Sequence, residues 1–204
     1  MKQCYLYYEF NIFLTLTHQD ISTVLALCKK GNQLAQLEVY NRYNKAMYNV
    51  ALRIVKDSAL AEDCMQEGFI SAFEKLETFK AEAAFGAWLK RIVVNKSIAN
   101  YHKSKKYVAM SETTEAILEA EEVGEGINNE DFTKLKATQV VSCMQEMHIS
   151  YQRILTLHFI EGYDYEEICE ILNISNANCR TLISRAKESL RKKMAVLNSS
   201  FHRY

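Results

Sequence analysis

The sequence predicts an all-α protein: two small helical domains joined by an acidic flexible linker, the C-terminal one a helix-turn-helix. Three observations lead there. The 204 residues contain no proline and only six glycines, which removes the usual punctuation of hairpins and sandwiches. Apolar residues recur at spacings of three and four, the helical period. Charge divides the chain into three: residues 1–107 carry 15 Lys/Arg and 10 Asp/Glu, 108–133 none and 8, and 134–204 ten and 7. The net charges are +5, −8 and +3, which sum to the formal zero of the whole. A neutral total argues against a tight, non-specific binder of nucleic acid.

The expected boundaries are an extension over 1–19, a helical domain over 20–107, the acidic linker over 108–133, a helix-turn-helix domain over 134–197 and a tail over 198–204. The head, MKQCYLYYEFNIFLTLTH, is apolar and aromatic, but Glu9 and Asn11 break the run and no cleavage-site pattern follows. It is expected to be neither signal peptide nor membrane span. A cytoplasmic location is the corresponding expectation.

Asp20 is placed to cap ISTVLALCKK, with Ile21, Val24, Leu25 and Cys28 on one face and Gly31 at its end. A longer helix over 34–55 turns Leu37, Tyr40, Met47, Ala51 and Ile54 inward. Ser58 then caps ALAEDCMQEGFISAFEKL. On that helix Asp63, Gln66, Glu67 and Ile70 fall at i, i+3, i+4 and i+7, an acidic and amide stripe ending in an exposed apolar residue. Such a stripe suits a basic helical partner.

The next stretch, FKAEAAFGAWLKRIVVNKSIANYHKSKK, interleaves Phe85, Trp88 and Tyr101 with Lys90, Arg91, Lys96, Lys103, Lys105 and Lys106. Rings stack on unpaired bases for roughly 1 to 3 kcal/mol each while cations track phosphates, which suits single-stranded DNA. The alternative is that Phe85 and Trp88 are core, and both can hold if one ring is buried and another exposed. After it, VAMSETTEAILEAEEVGEGINNEDFT reads as a tether, with a solvated acidic helix as the alternative. Its 26 residues span about 85 to 90 Å fully extended.

In EGYDYEEICEIL, Gly162 ends one helix, and Asp164 with Glu167 opens the next as a capping box. Ile168, Ile171 and Leu172 form its apolar face. Asn173 stands where the turn needs positive φ. Ser175 caps the second helix, which turns Cys179, Ile183, Ala186 and Leu190 inward. Outside remain Asn176, Asn178, Arg180, Thr181, Ser184, Arg185 and Lys187, then Arg191, Lys192 and Lys193. A helix with such a free face can enter a major groove.

YEEICEILNISNANCRTLISRAKESLRKKM resembles the last conserved region of extracytoplasmic-function (ECF) sigma factors of bacterial RNA polymerase. AEDCMQEGF and FGAWLKRIVVN resemble two motifs of the region by which these factors bind core polymerase and melt the promoter. The resemblance covers nearly everything from about residue 20 to 194 apart from the tether. It implies that Asp63, Gln66, Glu67 and Phe69 meet the polymerase clamp, with packing as the other reading of Phe69. It implies that the loop 79–85, including Phe79 and Phe85, captures a flipped base of the minus-ten element. Trp88, Lys90, Arg91 and Asn95 support the melted strand; Arg180, Ser184, Arg185 and Lys187 face the minus-thirty-five element. The tether is similar to the segment that family members thread through the polymerase channel.

Core RNA polymerase, promoter DNA and an anti-sigma factor are thus the expected partners, with no small-molecule substrate and no cofactor. The sequence departs from the family pattern at Leu182, often basic, at Asn173, usually glycine, at Asn100, often aspartate, and before Tyr151, where a proline is habitual.

The chain has no nucleotide-binding or hydrolase motif, and His18, His102, His148, His158 and His202 lack ligand spacing. Cys4, Cys28, Cys64, Cys143, Cys169 and Cys179 are scattered singly and read as reduced thiols rather than disulfides or a metal site. An enzyme is not expected. The competing reading is a helix-turn-helix regulator whose N-terminal half senses a signal or dimerises.

Overall fold

The computed structural model describes residues 16–80, 84–108 and 129–201. Two compact units emerge, Met1–Thr114 and Glu115–Tyr204. Among the described residues the regular structure is helical throughout, without a strand. The central part of the expected acidic tether, 109–128, lies outside the described residues, as does the head 1–15.

The first unit is built from α1 (Ile21–Lys29), α2 (Gln33–Val55), α3 (Ser58–Glu74) and α4 (Phe85–Val108), with a short 3-10 turn at Leu76–Thr78. Asp20 caps α1 as expected, accepting from the Ser22 N–H at 3.0 Å, and Gly31 follows with φ of 78°. Val24, Leu25 and Cys28 are buried. Helix α2 starts under an Asn32 cap, whose side chain accepts from Ala35 N–H at 3.0 Å.

Met47, Ala51 and Ile54 lie inward, and Tyr40 is half-buried, but Leu37 is 47% exposed, against the expectation. Its place is taken by Glu38, which is buried because Arg42 pairs with it at 2.6 Å. The same guanidinium donates to the Leu16 and Thr17 carbonyls at 2.6 and 3.2 Å. Hydropathy alone does not reveal a buried carboxylate whose partner makes the burial affordable.

Asp57, not Ser58, caps α3, accepting from Leu60 N–H at 2.7 Å. Helices α2, α3 and α4 pack against one another. A Cβ on Gly68 would stand 2.6 Å from Val93 Cγ2, so glycine is what lets α3 and α4 approach so closely. Leu89, Val93, Val94 and Ile98 complete the core from α4.

The second unit comprises α5 (Asn129–Gln145), α6 (Ile149–Leu155), a π turn (Thr156–Ile160), α7 (Tyr165–Leu172) and α8 (Asn176–Phe201). Residues 129–133, placed by the sequence in the tether, instead open α5: their helix continues into Lys134 and beyond without a break. His148 Nδ1 accepts from Ser150 N–H at 3.3 Å at the start of α6, a bond that a proline before Tyr151 could not make.

The expected turn between α7 and α8 is present in detail. Asp164 Oδ1 accepts from Glu167 N–H at 2.8 Å and Glu167 Oε2 from Asp164 N–H at 3.1 Å. Asn173 adopts φ 52° and ψ 50°, a left-handed conformation that asparagine tolerates better than most residues. Ser175 Oγ accepts from Asn178 N–H at 3.3 Å. Cys179, Ile183 and Ala186 are buried, and Leu190 is half-buried. Helix α8 thereby packs on α5, α6 and α7 with one stripe, leaving the other outside.

Candidate functional site

Three surfaces carry the chemistry, two on the first unit and one on the second. On α3, Asp63, Gln66 and Glu67 are exposed, and Ile70 is 59% exposed beside them. The Glu67 carboxylate is tied back to α4: Lys96 Nζ stands 3.8 Å away and Asn100 Nδ2 donates at 3.3 Å. Asn100 thus makes a bond that an ionised aspartate, having no donor, could not make to Glu67. Phe69 is not part of this surface. It is 3% exposed, with its ring 5.0 Å from Tyr40 and 6.2 Å from Phe73, and its role is packing.

The second surface lies where the 3-10 turn leads into α4. Phe79, Phe85 and Trp88 form a cluster with centroid separations of 5.5 Å (Phe79 to Phe85), 5.2 Å (Phe79 to Trp88) and 5.7 Å (Phe85 to Trp88). Phe85 is 5% exposed and packs edge-on against Tyr43 at 5.4 Å, so its ring supports the cluster from the core and is not a face for a base. Phe79 and Trp88 are half-buried and present the outer edges.

A Cβ on Gly86 would meet Tyr43 Cε1 at 3.1 Å, which keeps that position small. A hollow of about 280 Å³ opens beside Phe79 and Phe85, walled on the other side by Ile21, Ser22, Leu25 and Lys29 of α1. Trp88, Arg91 and Asn95 follow at i, i+3 and i+7 on one stripe, whereas Lys90, at i+2, falls off it; Asn95 is exposed and the two cations half-exposed. Tyr101, which the sequence groups with Phe85 and Trp88, is buried. Residues 81–83 of the loop lie outside the described residues.

On the second unit Arg180, Ser184 and Arg185 are exposed and Lys187 half-exposed along α8. A cleft of about 530 Å³ runs between Tyr151 and Ser184, Arg185, Glu188, Lys192 and Lys193. Glu188 pairs with Arg191 at 3.3 Å and Lys192 at 3.8 Å, and Lys193 with Glu146 at 3.1 Å. The position that is often basic by the family resemblance is Leu182 here, half-buried, and it contributes no cation. Tyr151 escaped the sequence reading because its approach to α8 is tertiary.

Among the described residues no group of three or more His, Cys, Asp or Glu could hold a metal, and no helix is long and apolar enough to cross a membrane. Burial pushes the Cys28 thiol up to about 11. Cys179 is also raised to about 11, by burial first and then by the neighbouring Cys169 side chain. Such thiols are poor nucleophiles at neutral pH.

Residues 39–107 match the family Sigma-70 region 2, and residues 137–190 match Sigma-70, region 4. The ECF RNA polymerase sigma factor SigW of Bacillus subtilis is 30% identical over 177 residues, covering 83% of this chain and 94% of its own length. SigM of the same organism is 28% identical over 154 residues, 76% of this chain and 91% of that protein. The ECF RNA polymerase sigma-E factor of Escherichia coli is 30% identical over 177 residues, with coverage of 83% and 91%. In three dimensions the chain is similar in fold to the sigma factor RpoE of Bartonella quintana, solved in complex with the anti-sigma factor NepR. That likeness has a TM-score of 0.55 and 19% identity, and it covers 78% of this chain and 96% of the other.

Proposed function

The chain belongs to the ECF branch of the sigma-70 family, and from that premise we propose how its surfaces divide the work of an RNA polymerase sigma factor. The first unit joins core polymerase and opens the promoter; the second reads the minus-thirty-five element. The acidic stretch 109–128, which joins the two units in sequence, is the segment that would follow a basic, nucleic-acid-sized path in the polymerase, with α5 opening the second domain. The protein works in the cytoplasm. Nucleotidyl transfer is polymerase's chemistry, and this chain catalyses no reaction itself.

Asp63, Gln66 and Glu67, with Ile70 at the end of their stripe, dock on the polymerase clamp. Lys96 and Asn100 hold Glu67 in place for that contact. Phe79 and Trp88 stack on the strand that opens, backed by Phe85. Lys90, Arg91 and Asn95 hold its phosphates and sugar edges. A base extruded from the stack costs a few kcal/mol, which a ring surface and a hollow can offset.

Arg180, Ser184, Arg185 and Lys187 face the duplex, where Arg can read guanine and Lys a phosphate. The RpoE factor that shares this fold was solved with an anti-sigma factor, and an anti-sigma partner is proposed for this chain as well. A sensing regulator leaves the match of residues 39–107 without a role.

The observation that carries this reading is the order along one chain: a region 2 match bearing the acidic stripe and the ring cluster, then a region 4 match bearing the basic helix. In vitro transcription with purified core polymerase and a library of upstream fragments tests it. A subset of fragments should give transcripts that depend on this chain. Absence of any such transcript would refute the reading.

A further inference from the structure

Phe159 and Ile160 stand 57% and 41% exposed at the end of the π turn. Two adjacent large apolar side chains in water forgo burial, and their position has a local cause. The turn closes with Glu161 N–H donating to Thr156 O at 2.9 Å, an i to i+5 bond. The wider turn inserts a residue relative to an α-helix and rotates the side chains that follow it. Insertions of this kind occur frequently at functional sites.

The Phe159 ring does have a polar partner. Lys187 Nζ lies 5.1 Å from its centroid. His158 packs beside Phe159 at 4.7 Å and against Tyr165 at 5.1 Å, and its Nδ1 is 3.1 Å from the Tyr163 carbonyl. The ring is therefore braced by the same turn that leads into α7. Lys187 itself follows Arg180 and Ser184 at i+7 and i+3, so all three share one stripe of α8.

We propose that Phe159 is a positioning residue for DNA binding: its ring face holds the Lys187 ammonium over α8, aimed at a backbone phosphate of the duplex. This rests on the reading of α8 as the helix that faces DNA. A lysine stem has many rotamers, and a partner that restricts them removes part of the ordering cost of contact. A carboxylate could also restrict them, as a closer version of the 3.8 Å Glu188–Lys192 pair would, but it would compete with the phosphate for the same charge. An aromatic face attracts the cation without neutralising it, and the N–H groups turned away from the ring stay available.

The test uses holoenzyme on a promoter fragment recovered by the transcription assay, with affinity followed against salt. Phe159→Leu should weaken binding roughly two- to fivefold at low salt, with the salt slope unchanged because the charge remains. Phe159→Tyr, which keeps the ring, should bind like the unmodified chain. Lys187→Met should lower the slope by about one phosphate's worth, and adding Phe159→Leu to it should cost nothing more.

An equal loss from Phe159→Leu with and without Lys187 would overturn the proposal. So would a loss of association with core polymerase, which would make the exposed pair a protein-docking face. If the unmodified chain transcribes no fragment, the DNA reading fails and the proposal with it; intact transcription without coupling between the two residues removes only the role given to Phe159.

Discussion

Trp88 is half-buried at one corner of a triangle of rings, 5.2 Å from Phe79 and 5.7 Å from Phe85, with Arg91 and Asn95 further along the same stripe. A side chain in that position can stack on an unpaired base without leaving its supports. Trp88→Ala should therefore leave association with core polymerase intact while weakening strand opening. Permanganate footprinting of unpaired thymines checks this, and a bubble of normal extent in the variant would remove Trp88 from the melting surface.

Arg185, exposed on α8 at the wall of the cleft that Tyr151 lines, is proposed to make a different kind of contact. Arg185→Ala should lower promoter affinity and flatten its salt dependence by about one phosphate; an unchanged slope would assign it a structural part. At this scale the sequence is legible where a residue's role is local. Asp63, Gln66, Glu67 and Ile70 are exposed because helical spacing alone separates them from the core. Phe69 and Phe85 are not legible in the same way. Whether a ring faces water depends on Tyr40 and Tyr43, which arrive from another helix.

The elements repeat the pattern. The start of α7 could be read in advance because a capping box and a left-handed asparagine are local devices, each written within a few residues. Asp164→Ala removes the side chain that accepts from Glu167 N–H, and it should destabilise the second unit by about 1 kcal/mol. Thermal melting of the full chain should show that unit's transition fall by about 4 to 8 °C. A melting profile identical to that of the unmodified chain would contradict the capping role.

The π turn before Gly162 was not legible, since an i to i+5 bond leaves no periodicity of its own in five residues. The fit of α3 on α4 was equally hidden. It depends on the missing side chain of Gly68 meeting Val93, two residues 25 positions apart. On the inward face of α2, Met47, Ala51 and Ile54 obey hydropathy and Tyr40 is half-buried, and Glu38 displaces Leu37 alone because Arg42 reaches it.

For the whole molecule the charge distribution is the governing fact. The two ends of the sequence carry modest positive charge and the acidic segment between them offsets it, so the chain as a whole lacks the electrostatic grip of a free-standing DNA binder. Two weak contacts become one strong one only when something fixes their separation, because the second contact is then intramolecular. In this account core polymerase supplies that separation and holds the exposed α3 stripe.

Promoter binding measured by fluorescence anisotropy, with and without core polymerase, tests this most directly. The account predicts weak, salt-sensitive binding by the chain alone and tight binding once core polymerase is added. Tight binding of an intact duplex by the chain alone, together with no association with core polymerase, would contradict it.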